Sequence, residues 1–493
     1  MSPQTALNFP SDVVEKFADQ SALISHAGEM TYREYYRKIL DAAGRIKIDG
    51  FTEGEVAPIF ASPSPEYVIL LQALWYSRII ALPLNIRWPA ALLQKQLQRL
   101  GCKKIIVGEG LENLPIIEKA EQLKLESLIS LGSTDLSEFD GSKKSYDTEQ
   151  PATIIFTSGS SGDPKAVLHT LGNHYYNALG SNQNIPFGPG DRWLLSLPLY
   201  HVGGLAILFR AMLGGGAVVI TEKTSDLENA IRKYQPSHIS LVPTQLYRLL
   251  QKNEIVEELR KMKAILLGGG AIPDSLIRQA VENGLPIHSS YGSTEMASQI
   301  ATTRVGESAD KLRTSGKLLP YRELQISTDG EILVKGRTLF QGYREGDRTF
   351  KATDAEGWFH TGDLGFLDDD GFLTVTGRKD NLFISGGENI QPEGIERTIL
   401  KIAGVINAIV VPVKNEEFGE RPVAFIKIEQ GSTIDFSMIK NHLEKELPRY
   451  EVPDYFFPWP EEVAGGEMKL KRKKFAEYVK KILLKDDHTK LEK

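Results

Sequence analysis

Short apolar runs alternate with amphipathic windows over much of this sequence, and this alternation limits the possible folds strongly. Apolar residues recurring every three or four positions predict helices over 31–46, 65–77, 92–100 and 273–282. Short apolar runs predict strands over 56–61, 79–83, 104–107, 217–220, 237–242, 264–267 and 287–291. Strands that alternate with helices are typical of parallel sheets with crossover connections. We therefore expect an α/β fold built from layered sheets.

The pattern changes after residue 314. From there to residue 376, short alternating runs are separated by turn signals such as Asp329-Gly330 and Asp370-Gly371, which indicates an antiparallel β subdomain. Beyond residues 377–380, a strand, a helix, two strands and a helix predict a small α+β unit. Since 493 residues exceed what one hydrophobic core usually spans, we predict a large domain over 1–379 and a small mobile domain over 380–493.

Composition excludes several classes of protein. Apolar residues make up 41% of the chain and charged residues 25%, so a disordered protein is excluded. A formal net charge of −6 argues against general nucleic-acid binding. Cys102 is the single cysteine, the first residues lack a signal-peptide pattern, and no apolar run reaches the roughly 20 residues that a bilayer requires. We expect a cytoplasmic protein without a membrane span.

The strongest local signal is a run of hydroxyl residues and glycines that ends in a lysine. Glycines let the backbone approach an anion, hydroxyls add donors, and lysine adds a compact positive charge. It is not a Walker loop, because Pro164 precedes the lysine and residues 166–168 are typical of a strand, so a hairpin is expected. A mobile surface linker is the alternative interpretation. The run consists of Thr157, Ser158, Gly159, Ser160, Ser161, Gly162, Asp163, Pro164 and Lys165.

A second polar cluster follows the predicted strand over 287–291. At a strand end, Thr294 is suited to contact phosphate and Glu295 to ligate Mg2+, which favours a carboxylate together with phosphate oxygens. A helix-capping carboxylate is the alternative for Glu295. Farther along, Asp363 is an acid able to hold two ribose hydroxyls, and Arg378 follows closely behind it.

These stretches together resemble the adenylate-forming superfamily, which includes acyl-CoA synthetases, luciferases and nonribosomal peptide adenylation domains. The resemblance covers nearly the whole chain and rests on the order and spacing of the run ending at Lys165, the Tyr-Gly-Ser-Thr-Glu stretch, Thr-Gly-Asp and Gly-Arg-Lys-Asp. It implies an ATP-dependent enzyme in which residues 157–165 and Thr294 bind phosphate, and in which Glu295 holds Mg2+.

The same resemblance assigns the nucleoside and the hinge. It implies that Asp363 and Arg378 hold the ribose and that the two domains rotate about Asp380. Adenine is expected to lie against Gly269, Gly270, Ala271, Ser290, Tyr291 and Gly292.

Near the C-terminus, the superfamily has a lysine followed three residues later by arginine and three further on by an apolar residue. Lys469, Arg472 and Phe475 fit this spacing. The resemblance implies that Lys469 bridges the acyl carboxylate and the α-phosphate and offsets the charge that develops there. The alternative is the solvated start of an amphipathic helix. Gly394 departs from the superfamily, which usually has a glutamate at this position.

Within the superfamily, residues 172–175 and 191–201 resemble the o-succinylbenzoate-CoA ligases of menaquinone biosynthesis. The resemblance implies that His201 gates the acyl tunnel and that Arg210 binds the second carboxylate of the substrate. A departure is Gly203, where a serine is common. The alternative for Arg210 is a surface-directed helix arginine, although its neighbours are apolar and an arginine in such surroundings needs an anion.

Coenzyme A is the expected thiol, because the chain carries no carrier-like domain and Gly386 and Gly387 resemble the segment that lines the pantetheine channel. The expected partners are thus a carboxylic acid, ATP with Mg2+ and coenzyme A, with a homo-oligomer possible. Three other functions stay open. These are an aryl- or fatty-acyl-CoA ligase of the same mechanism, an adenylation enzyme that loads a carrier protein, and a regulatory protein that has lost catalysis.

Overall fold

The computed structural model describes residues 6–7, 11–111, 121–129, 146–157, 164–221, 226–386, 388–415, 417–429, 431–432, 434–464 and 472–489. The helices are α1 Ser11–Phe17, α2 Tyr32–Ile48, α3 Pro65–Tyr76, α4 Ala90–Arg99, α5 Leu125–Ile129, α6 Leu171–Asn184, α7 Val202–Gly214, α8 Leu227–Tyr234, α9 Pro243–Leu250, α10 Asn253–Arg260, α11 Asp274–Glu282, α12 Ala309–Leu312, α13 Pro392–Leu400, α14 Phe436–Glu446, α15 Glu461–Ala464 and α16 Arg472–Thr489.

The strands up to the end of the large sheets are β1 Ala6–Leu7, β2 Ser21–Ser25, β3 Gly28–Thr31, β4 Val56–Phe60, β5 Ile80–Pro83, β6 Lys104–Val107, β7 Glu121–Lys124, β8 Tyr146–Asp147, β9 Pro151–Thr157, β10 Lys165–Thr170, β11 Arg192–Leu194, β12 Ala217–Val219, β13 His238–Leu241, β14 Ala264–Leu267, β15 Ile287–Ser293, β16 Ser298–Thr302 and β17 Lys317–Leu318. They are followed by β18 Arg322–Ile326, β19 Glu331–Gly336, β20 Gly342–Glu345, β21 Arg348–Phe350, β22 Phe359–Leu367, β23 Leu373–Arg378, β24 Phe383–Ser385, β25 Glu388–Ile390, β26 Val405–Asn415, β27 Gly419–Ile428 and β28 Tyr455–Pro458.

Two large sheets form the first part of the chain. One has the order β21-β20-β10-β9-β5-β4-β6-β7, and the other has the order β17-β16-β15-β14-β13-β11-β12-β2-β3. Their central strands are parallel, as the alternating pattern predicts, whereas the strands toward the ends of the sheets pair antiparallel, namely β3, β10, β16, β17, β20 and β21. The predicted α/β fold class is confirmed.

Two helices that are buried on all sides explain how the sheets are layered. Helix α3 is buried from Tyr67 to Tyr76, and α7 is buried from Gly204 to Met212. A helix without a solvent-exposed face must pack against protein on every side. The rings of Trp75 on α3 and Phe209 on α7 lie 4.8 Å apart, in a core cluster that also contains residues from both large sheets.

The predicted antiparallel β subdomain is only partly separate. Strands β18-β19-β22-β23 form their own sheet, but β20 and β21 extend the first large sheet and β17 extends the second. Strand β20 joins the first large sheet because the edge of β10 would otherwise expose a row of unpaired backbone groups. Strand β20 covers this edge, with Val167 opposite Tyr343 and Leu168 opposite Gly342.

The C-terminal part has a sheet with the order β25-β24-β27-β26, and β28 pairs with β27. Helices α13, α14 and α16 cover this sheet, and the two core clusters here contain only residues after position 382. A separate hydrophobic core is what an independent domain needs; the boundary at Asp380 itself stays a prediction. In the described part of the chain, we find no helix both long and apolar enough to cross a membrane.

Candidate active site

The predicted phosphate run begins and ends on a hairpin. Thr157 closes β9, Lys165 opens β10, and the two residues are register partners in the antiparallel pair. The predicted hairpin is therefore present. The intervening Ser158, Gly159, Ser160, Ser161 and Gly162 lie outside the described residues.

Lys165 and Glu295 both interact with Tyr343. Nζ of Lys165 lies 4.9 Å from the ring centre of Tyr343, whose hydroxyl donates a 3.0 Å hydrogen bond to Oε1 of Glu295. Burial, followed by the charge of Glu295, raises the pKa of Tyr343, so its hydroxyl keeps its proton at neutral pH. Sequence analysis missed Tyr343, which lies 48 residues from Glu295 on a strand whose neighbours only the fold decides.

Thr294 and Glu295 lie in the turn between β15 and β16, away from any helix start. The capping alternative for Glu295 is therefore wrong. The turn is anchored by the amide of Phe340, which donates to the carbonyl of Glu295 over 2.8 Å. It is also anchored by His169, whose Nε2 lies 2.6 Å from the carbonyl of Thr294. Burial lowers the pKa of His169 to about 4, so a neutral ring donates this bond.

Glu295 fits a magnesium ion that arrives with a nucleotide. The carboxylate is partly exposed, and among the described residues the one hydrogen bond to its Oε1 comes from a hydroxyl. Within the described residues there is no cluster of three or more His, Cys, Asp or Glu that could hold a metal ion by itself. Mg2+ characteristically uses one or two carboxylates and completes its shell with phosphate oxygens and water.

The predicted adenine segments are neighbours in space. Strands β14 and β15 are parallel, with Leu267 opposite Ser289, so the glycines after β14 lie beside Ser290 at the carboxyl ends of both strands. A side chain at Gly268 would come within 3.2 Å of the carbonyl of Ser290. Ligands of open α/β sheets bind at this edge. Beyond it, Gly269, Gly270 and Ala271 are exposed, and Gly269 has a φ of +80°.

The predicted ribose residues form one connected group. Asp363 and Arg378 are register partners on β22 and β23, and Nη1 of the arginine donates to Oδ1 of the aspartate over 2.8 Å. The other carboxylate oxygen accepts a 2.6 Å hydrogen bond from the hydroxyl of Tyr291. Burial and the nearby carboxylate raise the pKa of Tyr291. Tyr291, followed directly by Gly292, thus connects the adenine strand to the ribose acid.

The predicted acyl residues lie along α7. His201 is the N-cap residue of this helix, and its ring packs edge-on against that of Tyr200. Arg210 follows nine residues later, so the axial separation is about 13 Å. The two residues therefore lie at different positions along the axis of α7, His201 at its start and Arg210 toward its end.

Arg210 is fully buried, so the alternative of a surface-directed arginine is wrong. Its Nη2 donates a 2.8 Å hydrogen bond to Oε1 of Gln299, and the guanidinium lies 5.1 Å from the ring centre of Trp193. Nε and Nη1 are buried and have no hydrogen-bond partner among the described residues. Burial lowers the pKa of Arg210 to about 9, which still leaves the group charged at pH 7.

A second buried arginine lies near this group. Arg322 donates hydrogen bonds to the carbonyls of Gln299, Pro320 and Asn177. Burial, followed by repulsion from Arg210, lowers its pKa to about 9. In the described structure, neither arginine forms an ion pair with a carboxylate. The local sequence around Arg322 or Gln299 does not predict that these residues lie near Arg210, because both belong to strands that are distant from it in the sequence.

The predicted hinge residue Asp380 is exposed in a short 3-10 turn, and its carboxylate lies 3.9 Å from Nη2 of Arg378. Gly386 has a φ of +59° in the turn between β24 and β25, where its amide donates to the carbonyl of Phe418. Gly387 and Lys469 lie outside the described residues.

Arg472, three positions after Lys469, is anchored firmly. Its guanidinium bonds to the carboxylates of Glu396 and Glu393 and to the carbonyl of Val410. Glu393 stands beside Gly394, where the superfamily usually has its glutamate, and supplies a carboxylate to the same arginine. The start of α16 is thereby tied to α13 and β26.

Comparison with known proteins shows which proteins this chain is similar to. The 2-succinylbenzoate–CoA ligase of Escherichia coli K12 is 34% identical over 456 residues, covering 92% of this chain and 94% of that protein. The ligase of the same name from Bacillus licheniformis is 32% identical and covers 91% of this chain and 95% of its own.

Solved structures of a similar enzyme share the fold of this chain. The o-succinylbenzoate coenzyme A synthetase of Bacillus subtilis in complex with ATP and magnesium ion has a TM-score of 0.81 at 30% identity, with 92% of this chain and 95% of that chain covered. The same enzyme in complex with the acyl-adenylate intermediate OSB-AMP has a TM-score of 0.81 at 29% identity, with 92% and 94% covered.

Family models match two parts of the chain. The model described as AMP-binding enzyme matches residues 11–344, and the model described as AMP-binding enzyme C-terminal domain matches residues 394–462. The first match alone spans more than half of the sequence. Together with the relatives, this match confirms the superfamily predicted from the sequence. The chain belongs to the family of AMP-binding enzymes.

Proposed function

We propose that this protein is an AMP-forming acid–CoA ligase that joins 2-succinylbenzoate to coenzyme A, with ATP and Mg2+ as co-substrate. The names of the curated relatives and the ligands of the B. subtilis structures support this proposal. The sequence resemblance places the reaction in menaquinone biosynthesis.

The choice of substrate rests on the buried guanidinium of Arg210. A buried charge without a partner is costly, and an arginine characteristically binds a carboxylate through two parallel hydrogen bonds. Arg210 has two unpaired nitrogens, Nε and Nη1, so among the described residues this buried guanidinium keeps N–H groups that no acceptor satisfies. An acid with a second carboxylate supplies the missing partner, whereas a fatty acid or benzoate does not. This observation favours a dicarboxylate over the aryl and fatty acids that the sequence leaves open.

In the first half-reaction, a carboxylate oxygen of the acid attacks the α-phosphorus of ATP. The bond from this phosphorus to the pyrophosphate oxygen breaks, so acyl-AMP and pyrophosphate form. The run of residues 157–165 and the hydroxyl of Thr294 stabilise the leaving pyrophosphate, and Glu295 holds the accompanying Mg2+. Lys469 offsets the charge that develops between the carboxylate and the α-phosphate. Positioning and charge stabilisation of this kind account for most catalysis of phosphoryl and nucleotidyl transfer.

In the second half-reaction, the thiolate of coenzyme A attacks the acyl carbon and AMP leaves with the bridging oxygen. Asp363 and Arg378 keep the nucleotide in place through its ribose, and His201 lies at the start of the acyl tunnel. Rotation about Asp380 removes Lys469 from the cleft and brings Gly386 and Gly387 to the pantetheine. Such domain closure commits the intermediate to one acceptor.

Pyrophosphate release across a panel of acids tests this proposal. The purified protein is incubated with MgATP and with 2-succinylbenzoate, benzoate, a fatty acid or no acid, with and without coenzyme A. We expect 2-succinylbenzoate to give pyrophosphate and AMP, and coenzyme A to give the thioester. Equal activation of benzoate or a fatty acid would contradict the substrate, and thioester formation only on an added carrier protein would contradict the thiol.

The cellular location and the assembly are two further predictions. ATP and coenzyme A as co-substrates support the predicted cytoplasmic location. A homo-oligomer stays a prediction, which sedimentation of the purified protein tests.

A further inference from the structure

Arg210 is held in place by a neutral side chain. The only side-chain acceptor of this guanidinium in the described structure is Oε1 of Gln299, which is itself 3% exposed. An amide satisfies one N–H group and brings no negative charge. The positive charge of Arg210 is therefore positioned but not neutralised.

The amide of Gln299 is fixed in one orientation. Its Nε2 donates to Oγ1 of Thr302 over 2.7 Å, and this hydroxyl donates in turn to Oγ of Ser290 over 3.2 Å. Because Nε2 is used by the hydroxyl, Oε1 must face the guanidinium. Ser290 belongs to the predicted adenine segment, so the chain of hydrogen bonds connects the acyl residue to the nucleotide strand.

The backbone of Gln299 is fixed as well. Its carbonyl accepts hydrogen bonds from Nε of Arg322 over 2.7 Å and from Nδ2 of Asn177 over 3.1 Å. A side chain whose main chain and amide are both restrained can hold a partner at a defined angle. Arg210 is restrained on its other side by the indole of Trp193. The orientation of the guanidinium, with its two unpaired nitrogens, is consequently fixed.

The chemical identity of residue 299 decides what this guanidinium can bind. Glutamate has the same shape as glutamine, but in this position it would form an ion pair with Arg210 inside the protein. The guanidinium would then attract a substrate carboxylate far less, and a second negative charge beside it would be repelled. A site that leaves a buried polar group unpaired without the right substrate discriminates strongly against analogues that lack the partner.

We propose that Gln299 is a specificity-determining residue whose neutral amide aims Arg210 while leaving its charge for the second carboxylate of the acid. This inference rests on the proposed function, since it deepens the choice of a dicarboxylate. Gln299 acts through Arg210 and is a positioning residue.

The test replaces the amide by a carboxylate of the same shape, Gln299→Glu. Three acids are compared by pyrophosphate release: 2-succinylbenzoate, 4-oxo-4-phenylbutanoate, which lacks the ring carboxylate, and 2-butanoylbenzoate, which lacks the side-chain carboxylate. We expect KM for 2-succinylbenzoate to rise roughly 10- to 1,000-fold with a much smaller change in kcat, because ground-state binding is lost. KM for the better monocarboxylate should stay within about threefold of the wild-type value.

A neutral variant separates charge from packing. Gln299→Met has a similar length and no charge, so it should keep the preference for the dicarboxylate while raising KM by roughly 3- to 30-fold through looser positioning of Arg210. Thermal unfolding of both variants is measured beside the kinetics. The Glu variant should unfold at or above the wild-type temperature, since the buried guanidinium gains a counter-charge; if it does not fold, the Met variant decides.

The outcomes distinguish the inference from the function beneath it. If the wild type does not distinguish the three acids, the proposed function fails. If the wild type prefers the dicarboxylate and Gln299→Glu keeps that preference, the inference alone is overturned. An equal loss of kcat on all acids in both variants overturns it too, because that is the result of a purely structural role.

Discussion

The hydroxyl of Tyr343 donates a 3.0 Å hydrogen bond to Glu295, and the ring of the same tyrosine faces Lys165. Tyr343 lies on β20, the strand that covers the edge of β10. The strand that completes the first large sheet therefore also joins the predicted metal carboxylate to the predicted phosphate lysine. Packing of the sheet and assembly of the nucleotide site depend on the same residue.

Tyr343→Phe should slow pyrophosphate release about 10-fold. The substitution keeps the ring beneath Lys165 but removes a hydrogen bond to a charged group, which contributes about 1.5–3 kcal/mol. Glu295 is then less well oriented, so the Mg2+ concentration for half-maximal rate should rise. Tyr455→Phe, at an exposed position, is the matched control and should leave both values unchanged. An unchanged Mg2+ dependence in Tyr343→Phe would show that this hydrogen bond does not orient the metal carboxylate.

Arg210→Met should impair recognition of the second carboxylate specifically. The substitution keeps apolar volume in the buried site but removes the charge, so KM for 2-succinylbenzoate should rise by roughly 10- to 1,000-fold. Steady-state kinetics with a monocarboxylate analogue should change little. Arg248→Met, at an exposed position, serves as the control. A similar loss on mono- and dicarboxylates would contradict the role of Arg210.

Lys469→Ala should separate the two half-reactions. The lysine offsets charge only while the carboxylate attacks phosphorus, so adenylation should fall by at least about 100-fold, as for removal of one oxyanion-hole donor. Formation of thioester from added acyl-AMP should fall by less than about threefold. Single-turnover assays of each half-reaction measure this difference, with Lys473→Ala as a control at an exposed position. Equal slowing of both steps would contradict the assignment of Lys469.

Two buried histidines predict acid sensitivity. Burial lowers the pKa of His174 well below 6.5 and that of His169 to about 4. Below pH 6.5 the unfolded chain binds protons that the folded chain does not, so these residues contribute stability above pH 6.5 that is lost as the pH falls toward 4. For each proton that the unfolded chain binds and the folded chain does not, the free energy of unfolding falls by about 1.4 kcal/mol per pH unit as the pH is lowered.

His174→Phe should weaken the pH dependence of the free energy of unfolding by the contribution of about one proton. Phenylalanine can keep the stacking contact with Phe209 but does not titrate. Urea unfolding at pH 7.5 and pH 5 measures the change. His360→Gln is the control, because the carboxylates of Glu331 and Asp354 raise the pKa of His360 and its contribution is lost only as the pH rises. An unchanged slope in His174→Phe would contradict a neutral buried His174.

The sequence predicted the elements whose signal is local. Strand Lys104–Val107 and strand Ala264–Leu267 were predicted with their observed bounds, because each contains a short apolar run that ends at a glycine. Helix α2 was predicted from the apolar periodicity over 31–46, and the structure adds a capping box of Thr31 and Glu34 at its start. The predicted site residues were likewise found through short motifs, such as the run that ends at Lys165.

The missed features depend on contacts between distant parts of the chain. Tyr343 and Gln299 each sit in an ordinary strand sequence, and only the pairing of β20 with β10 and of β16 with β15 brings them to the site. The same holds for Arg322, whose partners lie on β16 and α6. Periodicity identifies which face of a strand is buried but not which strand lies beside it.

Oxygen transfer from the acid to AMP tests the central claim most directly. 2-Succinylbenzoate labelled with 18O in its carboxylates is converted with MgATP and coenzyme A, and the products are analysed by mass spectrometry. Attack of a carboxylate oxygen on the α-phosphorus, followed by thiolysis at the acyl carbon, should place one 18O in each AMP and none in pyrophosphate. Label in inorganic phosphate together with ADP, or unlabelled AMP, would contradict activation through an acyl-adenylate.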